Sequence, residues 1–316
     1  MAERRANGRF AVDTETTGVD PMRAELVGIS LSCEANTGYY IPIAHRPEAF
    51  STLREDGGGP QADPLPRDEA LALLKPLLED PAIAKVGQNI KYDLVVLARA
   101  GIELRGIALD TMVASYLTDP SRMRHNLDEI SLHYLKRKMI PLSDLIGKGS
   151  KTITFDHVPV DRACDYAAED ADVTWRLSEL FQPLLKDRGL DALYREVEQP
   201  LIGVLARMEM AGIAIDRDVF EGLRIEVSQR LSVLEHEIHE MAGEPFQINS
   251  PKQLQDVLFN KLKLKPVRKT KTGYSTDVEV LEELARDHPL PEKLLEYRML
   301  EKLRGTYIEA LPKLVH

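Results

Sequence analysis

Cysteine is scarce in this 316-residue sequence, which has only Cys33 and Cys164. They lie far apart, and no Cys-x-x-Cys or other zinc spacing occurs. A disulfide framework and a structural zinc site are therefore excluded, and reduced thiols in a cytoplasmic protein are expected. Long apolar runs are missing too. None approaches the ~18 residues that a membrane span needs. Met1 to Gly8 has arginines but no apolar stretch behind them, so no signal peptide is expected either. Positive charge is not in excess: 41 Lys and Arg stand against 51 Asp and Glu, a net charge of −10. A uniformly basic nucleic-acid coat is excluded, and any contact with a polyanion must come from local basic patches or metal ions. His236 and His239 sit one short of the HExxH spacing, so a zinc protease is excluded as well.

What is present is enough apolar content, 43%, for real cores, and a length that corresponds to roughly two domains. The run Phe10-Ala11-Val12-Asp13-Thr14-Glu15-Thr16 reads as a strand ending in two carboxylates. Positions i and i+2 of an extended chain share a face, so Asp13 and Glu15 point the same way. Like charges so placed repel unless a cation neutralises them, and hard oxygen ligands suit Mg²⁺ or Mn²⁺. Taken alone, the pair fits a surface Asp-x-Glu in a loop better than a metal site.

Leu26–Ser32 and Tyr39–Ala44 read as two further strands, joined to the first by short turns and hence antiparallel. Strand and helix then alternate. Helices are expected over Glu69–Glu79 (with Pro76 to kink or shorten it), after Gln88-Asn89 up to Gly101, from the cap Asp110 to Leu117, over Asn126–Lys136 and over Asp161–Leu185, with short strands at Lys85–Gly87 and Ile107–Leu109. This implies an α/β domain with a mixed sheet. The texture changes near residue 188. Beyond it the chain reads as helical: Val219–Met241, a helix from Ser250 with Gln253 closing a capping box, one opened by Ser275 or Thr276, and Pro291–Arg304.

Asp93 falls about one turn into a helix. Tyr166 and Asp170, at i and i+4, share a helix face, where a phenol and a carboxylate can together hold a water. Four carboxylates and this tyrosine supply what a two-metal phosphodiester hydrolysis requires.

In this order, Asp-Thr-Glu-Thr, Asn-Ile-Lys-Tyr-Asp and Tyr-Ala-Ala-Glu-Asp resemble the three motifs of the DEDD exonucleases, in their tyrosine branch. The flanks VGQNIKYDLVVLARAGIELRGIALDTMVASYL and YAAEDADVTWRL, and then INSPKQLQDVLF and STDVEVLEELARDHPLPEKLLEYRMLEKLRGTY, are similar to the Klenow-type family A DNA polymerases of bacteria. The resemblance covers nearly the whole chain. It implies an RNase H-like 3′-5′ exonuclease domain over residues 1–188 and a mostly helical polymerase thumb segment over 189–316. It implies two divalent ions, Mg²⁺ or Mn²⁺, held by Asp13, Glu15, Asp93 and Asp170, with Tyr166 orienting the water. Gln88, Asn89 and Tyr92 would contact a single-stranded DNA 3′ end, with Val19 and Leu142 against the terminal bases. Lys261, Lys263, Lys265, Arg268, Lys269 and Lys271 would meet duplex phosphates at the thumb. A proofreading role in a cytoplasmic, nucleoid-associated monomer follows. Polymerisation is expected only in a full-length chain, since the palm carboxylates and fingers helix are not among these residues. An RNase D-like exoribonuclease and a non-catalytic DNA clamp are the alternatives.

Overall fold

In a computed structural model, residues 8–50, 66–270 and 273–315 are described. The chain divides into two compact units, Met1–Gly212 and Ile213–His316. The sequence change at residue 188 thus falls inside the first unit, because the helix Gln199–Ala211 packs back on Ile90–Arg99 and Lys91 is ion-paired to Glu209.

The first unit is built on a five-stranded sheet of order β3-β2-β1-β4-β5. Its strands are β1 (Arg9–Thr16), β2 (Leu26–Glu34), β3 (Thr37–Pro42), β4 (Ala84–Gly87) and β5 (Ile107–Asp110). β1, β2 and β3 are antiparallel, whereas β4 runs parallel to both β1 and β5. The α-helices of five or more residues in this unit, in chain order, are α1 (Arg67–Leu78), α2 (Ile90–Arg99), α3 (Thr111–Thr118), α4 (Leu142–Ile146), α5 (Val160–Asp187) and α6 (Gln199–Ala211). α1 runs through Pro76 and ends two residues later, at Leu78, so the proline is accommodated inside the helix. The segment expected as one helix over 126–136 forms only Leu127–Ile130 as α-helix and then widens into a π-helix, Ser131–Leu135.

Alternation along β1 sorts its two faces. Phe10 and Val12 join Ile29, Leu31 and the apolar faces of α1 and α2 in one core. Ala11, between them, packs with Val173, Leu177 and Phe181 of α5 in another. Asp13 and Glu15 continue the Ala11 side, so the carboxylates face the layer that holds α5.

That face carries small residues, which lets α5 approach closely. A Cβ on Gly38 of β3 would lie 2.3 Å from the carbonyl oxygen of Ala168. The hairpin turn before Gly38 is tied to the same helix: Asn36, at φ 64°, donates its N–H to Asp172 at 2.6 Å. Tyr166 and Asp170 lie on either side of this contact.

The second unit contains α7 (Arg217–Ala242), α8 (Pro251–Gln255), α9 (Val278–Leu284), α10 (Leu290–Leu303) and a two-residue ladder of Lys269–Thr270 with Gly273–Tyr274. Ile238, Leu254, Leu258, Leu281, Leu290 and Leu294 form its main core. Ser250 caps α8 through the Gln253 N–H, but Gln253 does not complete the capping box; its side chain accepts from the Gln247 N–H at 2.7 Å instead. Asp277, rather than Ser275 or Thr276, caps α9 by accepting from Val280. The Ser275 hydroxyl donates to Asp277, because a carboxylate is the stronger acceptor for the helix N–H and the hydroxyl takes the supporting place. Among the described residues no helix is long and apolar enough to cross a membrane.

Candidate active site

The site is assembled from three elements. β1 supplies Asp13 and Glu15, with a β-bulge between Glu15 and Thr16 that ends regular pairing just past the carboxylates. α5 supplies Tyr166 and Asp170, and α2 supplies Asp93. Oxygen atoms of Asp13, Glu15 and Asp170 all come within 4.8 Å of one another.

This triangle is electrostatically unfavourable without a cation. Burial pushes Asp13 from 3.8 up to about 7. Glu15 is driven well above its usual range by burial and then by the charges of Asp13, Asp170 and Asp93. Asp170 moves the same way through burial and Asp13. Glu15 Oε1 is buried and has no hydrogen-bond partner among the described residues. A buried, unsatisfied carboxylate oxygen beside two further carboxylates is costly as it stands and is what a hard cation would satisfy. The donor set therefore fits a divalent ion.

Asp93 stands slightly apart. Its Oδ1 accepts from the Thr14 N–H at 2.9 Å and from the Thr14 hydroxyl at 2.6 Å. Burial, followed by the Asp13 charge, raises its pKa. It is therefore bound to β1 and electrostatically in touch with Asp13, but outside the oxygen triangle. Tyr166 sets its phenol against Asp170 and stays protonated, because burial and then the Asp170 charge both oppose its ionisation. Phe155 supports the ring, centroid to centroid at 6.0 Å.

Asn89 does not cap α2 through its own side chain; it lies in the left-handed region at φ 55°. The cap is Asp110. Its carboxylate accepts from Asn89 and Ile90 at 3.2 and 2.8 Å and also from Met112 and Val113 at 2.8 and 3.2 Å. One buried side chain thus closes the N-termini of both α2 and α3, fixing the helix that carries Asp93. From sequence Asp110 reads only as the cap of its own helix. Its second role depends on β4 and β5 lying side by side, which no local pattern reveals.

Gln88 is committed internally, donating to the His125 carbonyl at 2.8 Å and accepting from the Thr111 hydroxyl at 2.5 Å. Tyr92 donates to the Gly18 carbonyl at 2.5 Å and lies 2.5 Å from the Thr16 hydroxyl. It therefore pins the turn that follows β1. Val19, on that turn, is 94% exposed, and Leu142, at the start of α4, is 41% exposed. In the second unit Lys261 is ion-paired with Glu244 and Asp256, and Arg268 with Asp277 and Glu279. Lys269 lies over the Tyr274 ring at 5.7 Å. Lys263 and Lys265 are exposed, and Lys271 lies outside the described residues.

Known proteins resemble this chain over its whole length. A 3′-5′ exonuclease family model matches residues 1–186, and a DNA polymerase family A model matches residues 217–316. DNA polymerase I of Rhizobium leguminosarum is 45% identical over 327 residues, an alignment spanning 100% of this chain and 32% of that protein. DNA polymerase I of Pseudomonas aeruginosa is 41% identical over 312 residues, 97% of this chain and 33% of that protein. The chain thus spans about a third of the length of these relatives. A solved structure, the POL domain of Pol1 from M. smegmatis in complex with DNA primer-template and dNTP, superposes with a TM-score of 0.78 at 26% identity, covering 100% of this chain and 49% of that one.

Proposed function

Because the chain belongs to the DNA polymerase I family and carries its 3′-5′ exonuclease domain, we propose that its first unit hydrolyses the terminal phosphodiester at the 3′ end of a DNA strand, releasing nucleoside 5′-monophosphates in a proofreading role. The observation that carries this reading is the convergence of Asp13, Glu15 and Asp170 around the unsatisfied Glu15 oxygen.

Asp13, Glu15 and Asp170 would hold one divalent ion, Mg²⁺ or Mn²⁺, and Asp93 with Asp13 a second. Bound there, the ions would lower the pKa of the attacking water and stabilise the departing 3′ oxygen. The protein's own groups do the rest. Tyr166 keeps its proton and offers its hydroxyl oxygen to the water, orienting it beside Asp170. Thr14 holds Asp93 in a single rotamer. Tyr92 fixes the turn that presents Val19, and Asp110 fixes the helix start that presents Asn89. Val19 and Leu142 offer apolar contact to the last bases, and Asn89 hydrogen-bonds the terminal nucleotide. Gln88 and Tyr92, committed internally, shape this surface. In the second unit Lys263 and Lys265 meet duplex phosphates with the rest of the 261–271 run, a sequence-independent and salt-sensitive contact. The chain acts as a monomer in the bacterial cytoplasm, associated with the nucleoid.

The test is a gel assay on a 5′-labelled single-stranded DNA and an RNA of the same sequence, with Mg²⁺ or Mn²⁺. EDTA and Asp170→Ala serve as controls. A ladder that shortens from the 3′ end of the DNA and vanishes in both controls is expected. Intact DNA with degraded RNA would identify an exoribonuclease, and intact strands of both kinds a DNA-holding module.

A further inference from the structure

A second tyrosine, Tyr40, faces the carboxylates from the other side of the sheet's working face. Pairing aligns Asp13 with Ser30 and Ser30 with Tyr40, and aligns Glu15 with Gly28 in the neighbouring row. Directly paired side chains project to the same face. The Tyr40 ring does not stay in its own row. A Cβ on Gly28 would lie 2.1 Å from the Tyr40 hydroxyl and 2.4 Å from two ring carbons. The phenol therefore fills the space left by the missing Gly28 side chain, across the strand from Glu15. The Glu15 charge accordingly acts on the phenol, after burial.

The phenol is also latched. Its hydroxyl lies 2.6 Å from His45 Nε2, with the two rings edge to face at 5.7 Å. His45 in turn packs on Phe155 at 6.0 Å, the same ring that supports Tyr166. Among the described residues Glu15 Oε1 has no hydrogen-bond partner, and neither has the neighbouring, fully buried Ser30 hydroxyl. The phenol, lying over Gly28, stands beside the strand position paired with Glu15.

We propose that Tyr40, latched by His45 and admitted by Gly28, is a positioning residue that holds the Glu15 carboxylate in the metal-binding triangle. This rests on the exonuclease reading for its purpose but not for its test, which is Mn²⁺ binding to the full chain without DNA, followed by electron paramagnetic resonance.

Tyr40→Leu removes the phenol and is expected to weaken Mn²⁺ binding by about tenfold, as loss of a group orienting a metal ligand does. Gly28→Ala, which forces the phenol out from the opposite strand, should match it. Tyr40→Phe keeps the ring and frees His45, so its loss should be smaller, about threefold. In the nuclease assay the same variants should need more metal but show an unchanged KM for single-stranded DNA at saturating metal. A purely structural tyrosine would lower thermal stability and leave Mn²⁺ affinity alone. Should Tyr40→Leu fail to fold, Tyr40→Phe and Gly28→Ala decide the matter, and affinities within about twofold of wild type in both overturn the proposal. A wild-type chain that binds Mn²⁺ yet leaves DNA intact overturns the nuclease reading instead, and the variants' Mn²⁺ affinities still decide the role of Tyr40.

Discussion

Adding a divalent ion should stabilise this protein strongly at pH 8 and scarcely at pH 5. The reason is the Asp13, Glu15 and Asp170 triangle. Asp13 titrates at about 7 in the folded chain, up from 3.8. A carboxyl whose folded pKa is raised contributes stability that is fully present below its unfolded pKa and is lost as pH climbs through the folded value. Without metal, the unfolded chain ionises Asp13 above pH ~4 while the folded chain keeps its proton up to about 7, so stability falls through this window by about 4 kcal/mol, at about 1.4 kcal/mol per pH unit. Glu15, Asp93 and Asp170 are raised as well and deepen the loss. Mn²⁺ at about one hundred times its dissociation constant at pH 8 returns about 2.7 kcal/mol. For a unit of this size that is a rise in Tm of roughly 5–10 °C. At pH 5 only about one Asp13 in a hundred is ionised. The same Mn²⁺ then sits near its apparent dissociation constant and supplies about 0.4 kcal/mol, or under ~2 °C. The assay is thermal unfolding by circular dichroism at both pH values, with and without Mn²⁺, on wild type, Glu15→Gln and Asp170→Asn. Equal Tm gains at pH 5 and pH 8, or a full gain at pH 8 in both variants, would refute the reasoning.

Three other outcomes are expected. Tyr166→Phe should lower kcat at saturating Mn²⁺ by about a hundredfold, the scale of a lost hydrogen bond to a reacting water, and a kcat within about threefold of wild type would remove the phenol from the water's orientation. Asp110→Ala leaves four helix N–H groups without their acceptor and should cost about 3 kcal/mol in urea unfolding, more than an ordinary single cap; a cost below ~1 kcal/mol would mean that α2 and α3 find other caps. Reversing both Lys263 and Lys265 to Glu should reduce the salt dependence of duplex binding, lowering the slope of log affinity against log salt by about one for each phosphate no longer neutralised, whereas an unchanged slope would remove these lysines from the interface.

The candidate site residues stand out in the sequence because each motif is local. Asp13 and Glu15 are two apart on a strand, and Tyr166 and Asp170 are four apart on a helix, so backbone periodicity alone puts each pair on one face. The helices were legible where an apolar stripe recurs, as in α7. Their starts were less so. Ser250, Asp277 and Asp110 are all typical capping residues, but which N–H a side chain accepts depends on the acceptors that compete for it. Asp277 outcompetes Ser275 for α9, and Gln253 turns to Gln247. The two-residue ladder at Lys269–Tyr274 is too short to leave a periodic signal.

By itself, then, the sequence determined the candidate groups and their order along the chain: a strand ending in two carboxylates, a helix with one, and a helix with a phenol and another. It also determined the α/β character of the first unit and the helical character of the second. Only the tertiary structure decided that three of the carboxylates share a triangle while Asp93 is tied to Thr14, that Asp110 caps two helices, and that Gly28 and Gly38 make room for Tyr40 and α5. These facts depend on which strands are neighbours and on how closely a helix can approach them. Such distances are set by residues remote in sequence, and a chain read one segment at a time does not contain them.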